Sequence, residues 1–373
     1  MLWLALKTLF HEKVRLFITV IGITVSTVLA ITQIGMYFGF MGDATAIIRH
    51  TDADIFIVSK NVPNVDFAKP FPEERANRVK AFSDLLWVEK IVLTWGFLKL
   101  ANGGQEQVQI IGFNPDTGIG KPWRMSAGMA YDVKGGRYMI LDKTSESRLG
   151  GLVTGSVWEL NEKRFRLVGL SDGIKSFTTS PLVFMSYNSA QSLVGNEGQT
   201  SFIVAKVKDK ERLKSIVRDL QAMMKENDVY TRNGFIYKTV MYWTVQTGMG
   251  MAFFLTALLG LMVGGAIVGQ TIYANTMEHL KEYGTLKALG ADNMDIDIII
   301  FSQTGISAVI GYVTGGAITL LSQNSLEKAG VTIYLSPLIL SVLFVMVLLT
   351  CLFSAYFSIR KVRRLDPVMV FRG

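Results

Sequence analysis

Cysteine is nearly absent. Cys351 is the only one among 373 residues, so no disulfide can close within the chain and the redox compartment cannot be read from it. The three histidines, His11, His50 and His279, have no ligand-like spacing, and no metal site is expected. Charge is thin: Asp, Glu, Lys and Arg make up 18% of the residues, where a soluble protein carries about a quarter. Catalytic patterns are missing as well. There is no H-E-x-x-H zinc motif. Residues 118–121, G-I-G-K, have the flavour of a phosphate loop. Pro115 stands where the first glycine belongs and Pro122 where Ser or Thr belongs, so they read as a turn. Asp52, Asp54, Asp142 and Asp172 are scattered at strand ends, where solvated or turn-forming aspartate is usual. None of this makes a case for catalysis, or for a cofactor held by this chain.

What the sequence has is apolar length, concentrated near its two ends. Residues 16–41 carry no charge and lie between Arg15 and Asp43. About 20 apolar residues cross the hydrocarbon of a bilayer, whereas a cleaved signal peptide has an apolar stretch of only about 7–15. This run therefore reads as a span. Three more follow, at 246–273, 296–321 and 337–359, with Tyr242 and Trp243 as candidate interfacial anchors of the second. The amide side chains well inside the spans are few, Gln33, Gln270 and Gln303, and no ionisable group sits near the middle of any. Ion-coupled transporters need such groups at the midplane, so that class is disfavoured. Three G-x-x-x-G pairs, Gly35/Gly39, Gly260/Gly264 and Gly311/Gly315, are candidate faces for close helix packing.

The formal net charge of +8 is better explained by membrane topology than by nucleic acid. Lys7, Lys13 and Arg15 flank the first run, and Arg360, Lys361, Arg363 and Arg364 flank the last. Basic flanks mark the cytoplasmic side, which puts both termini inside and requires an even number of spans. The expected order is a cytoplasmic amphipathic segment (1–15), the first span (16–41), an extracytoplasmic domain (42–245) and the second span (246–273). A cytoplasmic loop (274–295), the third span (296–321), an external loop (322–336), the fourth span (337–359) and a cytoplasmic tail (360–373) complete it.

The large domain mixes strand and helix signals. Residues 54–58, 108–112, 138–141 and 201–207 read as strands, and 156–160 with 164–170 as a pair turning around Asn161-Glu162-Lys163. Leu213, Ile216, Val217, Leu220 and Met224 share one face of a helix over 210–225, and a second helix is expected over 74–82. The fold class is thus a four-span helical membrane protein with an α+β domain inserted between its first two spans.

The loop between the second and third spans reads M-E-H-L-K-E-Y-G-T-L-K-A-L-G-A over 277–291. Its residues favour a short helix with Leu280, Leu286 and Leu289 on an apolar side. Glu278 and Lys281 stand as i,i+3 neighbours, and Gly290 suits the helix end. That is more structure than a hairpin between spans needs, and a docking element for a cytoplasmic partner is the reading it favours. The same stretch resembles the E-R-x-x-E-I-G-x-L-R-A-L-G-A signature of FtsX/MacB-type ABC permeases (the type VII fold). Glu278, Glu282, Gly284, Leu286, Ala288, Leu289, Gly290 and Ala291 match it. Lys287 keeps the charge of the family's second arginine, Lys281 stands at an open position, and His279 and Tyr283 depart from its Arg and Ile. Residues 365–372, L-D-P-V-M-V-F-R, resemble that family's ending, and the layout agrees along the whole chain. Residues 12–16 and 52–57 resemble most closely the DevC-like branch.

The resemblance implies a MacB-like periplasmic core domain and a coupling helix carrying Glu278, Lys281, Glu282, Gly284, Leu286, Lys287, Leu289 and Gly290. It implies a permease dimer, with a homodimer expected, that binds two copies of a separate cytoplasmic ABC ATPase. ATP and Mg would sit on that partner. The expected function is an export permease of the bacterial inner membrane that passes ATP-driven movement to its outer domain (mechanotransmission). The outer domain would work with a HlyD-type periplasmic adaptor and an outer-membrane channel. The alternatives are an FtsX-like transducer that activates a cell-wall hydrolase, or a lipoprotein-releasing permease.

Overall fold

The computed structural model describes residues 2–176, 181–195, 197–328 and 330–363. The chain divides into two units, Met1–Gly39 with Gly248–Gly373, and Phe40–Thr247.

The first unit holds the apolar runs. Among the described residues, four helices are long and apolar enough to cross a membrane: Lys13–Ala44, Met249–Glu278, Asn293–Lys328 and Pro337–Arg363. The first, third and fourth extend beyond the apolar windows read from sequence or match their start, because polar residues at the ends continue the helix; the second begins three residues later than expected, after Gly248 at φ 73°, and runs on to Glu278. A short N-terminal helix, Leu2–His11, precedes them. Ile23 and Ala30 of the first span, Leu261 and Val268 of the second, Ala308 of the third and Val347 and Cys351 of the fourth bury one another. The lone thiol thus serves as a small apolar side chain of the bundle.

Small residues set how closely these helices approach. A Cβ placed on Gly264 would lie 2.4 Å from Ser26 Cβ, and one on Gly260 3.1 Å from Leu29 Cβ. Ser26 donates from Oγ to the Gly260 carbonyl at 2.7 Å. On another face of the first span, a Cβ on Gly311 would meet Ile23 Cβ at 2.6 Å, and one on Gly315 Thr27 Cβ at 2.8 Å. The pair Gly35/Gly39 differs from the expectation of helix packing. It receives extended chain: a Cβ on Gly39 would lie 2.2 Å from the Thr332 carbonyl oxygen, and the Tyr334 N–H donates to the Gly35 carbonyl at 3.0 Å.

The second unit is a sheet-rich α+β domain. Its strands are β1 (Ile55–Ser59), β2 (Phe71–Pro72), β3 (Leu85–Lys99), β4 (Gln105–Phe113), β5 (Met125–Ala127) and β6 (Tyr138–Asp142). They continue with β7 (Val157–Leu160), β8 (Lys163–Ser171), β9 (Leu182–Ser186), β10 (Gln199–Thr200), β11 (Phe202–Val207) and β12 (Asn227–Thr231). The main sheet runs β12-β1-β11-β3-β4-β9-β6-β8-β5, with β7 paired to β3 and β8, while β2 and β10 pair separately. The long β3 belongs to both halves. Its first part pairs with β11 and its second with β4. Helix Leu213–Met223 covers the β1–β11 half with Ile216 and Leu220. The other half buries Leu98, Val108, Leu141, Leu167 and Val183. The β7–β8 hairpin turns at Asn161 and Glu162, both at positive φ (45° and 64°), as a two-residue type I′ turn demands.

Candidate functional site

The loop motif folds in two pieces. The helix of the second span continues through Glu278 and breaks at His279; a separate short helix, Leu280–Ala288, follows. Its end is built by Gly290, whose φ of 101° excludes most side chains. There the Ala291 N–H reaches back to the Leu286 carbonyl and the Leu289 N–H to the Thr285 carbonyl, each at 3.0 Å. The six-to-one bond and the left-handed glycine form a Schellman cap.

One side of this helix is fastened to the bundle. Tyr283 is 8% exposed and packs with Ile296 and Ile300 of the third span and Ile359 of the fourth, with Leu286 beside them. This corrects the apolar face expected from sequence. Tyr283 is its centre, and Leu289 is 81% exposed.

The break at His279 is held by charge. The His279 Nε2 contacts a Glu12 carboxylate oxygen, and its Nδ1 lies 2.8 Å from Glu282 Oε2. Burial disfavours the imidazolium, but the carboxylates of Glu12 and Glu282 outweigh it and raise the His279 pKa above its ordinary value. Arg15 donates at 3.0 Å both to Glu12 Oε2 and to Asn275 Oδ1, and pairs with Glu278. Glu278 therefore serves the first span instead of the expected i,i+3 partner Lys281, because it closes the second span rather than opening the loop helix. Burial, together with the charges of Glu12 and Glu282, pushes the Tyr283 hydroxyl up to about 12.

The opposite side is open. Lys281, Glu282, Thr285, Leu289 and Gly290 are exposed, and Gly284 is half-buried. A cavity of about 320 Å³ beside them is lined by Thr8, His279, Glu282, Tyr283, Thr285, Leu286 and Ile299. The Lys287 side chain and the tail motif at 365–372 lie outside the described residues. Glu12, Arg15, Asn275 and Tyr283 were not among the expected site residues. The first two had a signal, two charges of opposite sign beside the start of an apolar run; an i,i+3 Glu–Arg pair at that place invites a partner from another helix. Among the described residues no group of His, Cys, Asp and Glu is arranged to hold a metal ion.

Comparison with known proteins places this architecture. Residues 16–223 match the MacB-like periplasmic core domain, and residues 254–367 match the FtsX-like permease C-terminal domain. An uncharacterised ABC transporter permease of Methanocaldococcus jannaschii is 22% identical over 99% of this chain and 96% of its own length. The macrolide export ATP-binding/permease protein MacB of Photorhabdus laumondii is 22% identical over 98% of this chain, which spans 60% of that protein. Among solved structures, the periplasmic region of MacB from Actinobacillus actinomycetemcomitans matches with a TM-score of 0.38 at 14% identity, over 49% of this chain and 90% of that one.

Proposed function

The chain belongs to the MacB/FtsX-type family of ABC transporter permeases, and from that premise we propose that helix Leu280–Ala288 is the seat of a separate cytoplasmic ATPase. Its job is to carry the ATPase's movement to the domain between the first two spans. The observation that carries this reading is the two-sidedness of the helix. Lys281, Thr285 and Leu289 face outward as a mixed polar and apolar rim with Glu282 at its edge, while Tyr283 and the Glu12–His279 contact fasten the other side to the start of the first span and to the third and fourth spans. A push on the rim is thereby delivered to several helices at once.

In this reading two permease chains and two ATPase chains make the working unit, in the inner membrane of a bacterium with both termini in the cytoplasm. ATP and Mg stay on the ATPase. The outer domain meets a HlyD-type adaptor and, through it, an outer-membrane channel, so that movement is transmitted to cargo already outside the cytoplasm.

The test is purification of the tagged chain from native membranes in mild detergent, with mass spectrometry of its companions. A stoichiometric ABC ATPase that is lost from the Glu282→Lys variant is the expected result, together with an adaptor. An ATPase retained unchanged by Glu282→Lys removes the helix from the docking surface. No ATPase at all overturns the coupling reading.

A further inference from the structure

Among the described residues, Asp66 and Gln109 each bury a side-chain oxygen that has no hydrogen-bond partner, and one bond joins the two groups. Gln109 of β4 donates from Nε2 to Asp66 Oδ1 at 3.3 Å. The other oxygen of each group, Asp66 Oδ2 and Gln109 Oε1, is buried without a hydrogen bond. Both atoms are acceptors when Asp66 is ionised, so neither can satisfy the other. Asp66 is 5% exposed and Gln109 1%. Two unpaired acceptors at such depth each carry a desolvation cost.

One proton resolves both. With hydrogen on Oδ2, Asp66 donates to Gln109 Oε1 while Gln109 Nε2 donates to Oδ1, closing the cyclic pair that a carboxylic acid and a primary amide make. The place of this pair in the domain gives it consequence. Trp243, in the π-helical turn Tyr242–Gln246, adjoins Asp66. That turn is the last element of the domain before the second span begins at Met249. Phe67 packs against Trp243, tilted, and Tyr242, edge-on, with ring centroids 6.1 and 6.2 Å apart, and Phe40, where the chain enters the domain, meets Trp243 edge-on at 6.2 Å. The loop holding Asp66 therefore clasps the incoming and outgoing chains of the domain together.

We propose that Asp66 and Gln109 form a proton-binding site that fastens this clasp when the space outside the cytoplasm is acidic and loosens it when that space is neutral. Burial raises the Asp66 carboxyl to about 6, above the ordinary carboxylate range, with the Gln109 hydrogen bond and the neighbouring Trp243 indole pulling the other way. The groups that act on it are neutral. Charged side chains on the surrounding elements are engaged elsewhere: Arg49 on Thr45, Lys60 on the Lys225 carbonyl and Lys238 on Tyr230, while Lys69 is exposed. Nothing in the site depends on the ATPase or the adaptor.

The test is hydrogen exchange of the full-length protein in lipid nanodiscs at pH 5 and pH 7.5, with exchange times corrected for the intrinsic rate. A carboxyl that titrates near 6 in the closed clasp and in the ordinary range when open makes opening about tenfold rarer at pH 5. Peptides covering residues 60–68 and 240–247 should gain that protection, and those covering helix Leu213–Met223 should not. Asp66→Asn mimics the protonated pair, since its amide can donate to Gln109 Oε1. It should be protected at both pH values alike. Infrared titration supplies a readout independent of that variant's folding: a protonated carboxyl band should grow in as pH falls through 6 and shift its midpoint in Gln109→Met. Protection that ignores pH in the parent protein, or a pH response that survives in Asp66→Asn, overturns the proposal. So does a parent protein with no carboxyl band titrating above the ordinary range.

Discussion

Replacing Gly264 by alanine should separate the first and second spans. The new Cβ would fall 2.4 Å from both Cβ and Oγ of Ser26, far inside the ordinary contact distance, and Ser26 is buried at 5% exposure with no room to swing aside. Relief requires the helices to part by about an ångström, and overpacking of this kind costs about 1–3 kcal/mol. Parting also stretches the bond from Ser26 Oγ to the Gly260 carbonyl, now 2.7 Å, worth about 0.6 kcal/mol in a membrane. The total, about 2–3 kcal/mol, corresponds to a fall of roughly 5–10 °C in apparent Tm. The assay is helical circular dichroism of the purified full chain in detergent, which the long spans dominate, heated at one fixed rate because membrane-protein unfolding is commonly irreversible. Gly305→Ala is the control. It lies in the third span with no atom within 4 Å of its Cβ, so alanine should be neutral or gain up to about 1 kcal/mol of helix propensity. Adding Ser26→Gly to Gly264→Ala removes both clashing atoms and should recover most of the loss. A Gly264→Ala protein that melts with the Gly305→Ala control would refute the close-approach argument.

Two further outcomes follow from the same geometry. Gly290→Ala meets no neighbouring atom, so its cost is the left-handed backbone alone, about 1 kcal/mol, and Gly290→Asn should cost less. Faster amide exchange over residues 285–291, larger for Ala than for Asn, is the check. In the domain, Glu73 accepts hydrogen bonds from Tyr187 (2.7 Å), Lys90 (2.8 Å) and Gln191 (3.1 Å). Burial raises its pKa, but those donors and the Lys90 charge outweigh it and hold the carboxyl below its ordinary value. A depressed carboxyl stabilises the fold above the unfolded pKa and ceases to do so as pH falls through the folded one. Glu73→Gln should therefore cost about 1–2 kcal/mol near neutral pH and lose its effect in strong acid, read as the Tm difference from the parent across that range.

Much of the fold was legible because the bilayer leaves so few options: an uncharged run of that length can only be a span or a signal, and its length decides. The loop motif was legible for a similar reason, since the glycine that ends its helix is needed for backbone geometry. What sequence reading missed were features set by distant partners. Strand β3 gave no alternation because Ile91, Val92 and Leu93 are all buried, where the strand passes from one half of the sheet to the other. Tyr283 looked like a mismatch to an aliphatic position and proved to be the buried anchor of its helix. The link from Glu278 to Arg15 joins helices at opposite ends of the chain, and no local pattern could pair them. Gly35 and Gly39 carried the spacing of a helix-packing pair, but spacing does not say whether helix or extended chain will fill the notch.

That notch has a consequence for the order in which the protein is made. The segment that fills it, residues 332–335, lies between the third and fourth spans, so it leaves the ribosome after the whole domain and all but the last span. The first span must wait in the membrane with its glycine face uncovered while the domain behind it folds. Bundle closure is then a late, long-range event that loop-closure entropy makes slow, separate from domain folding and decided by the arrival of the final hairpin.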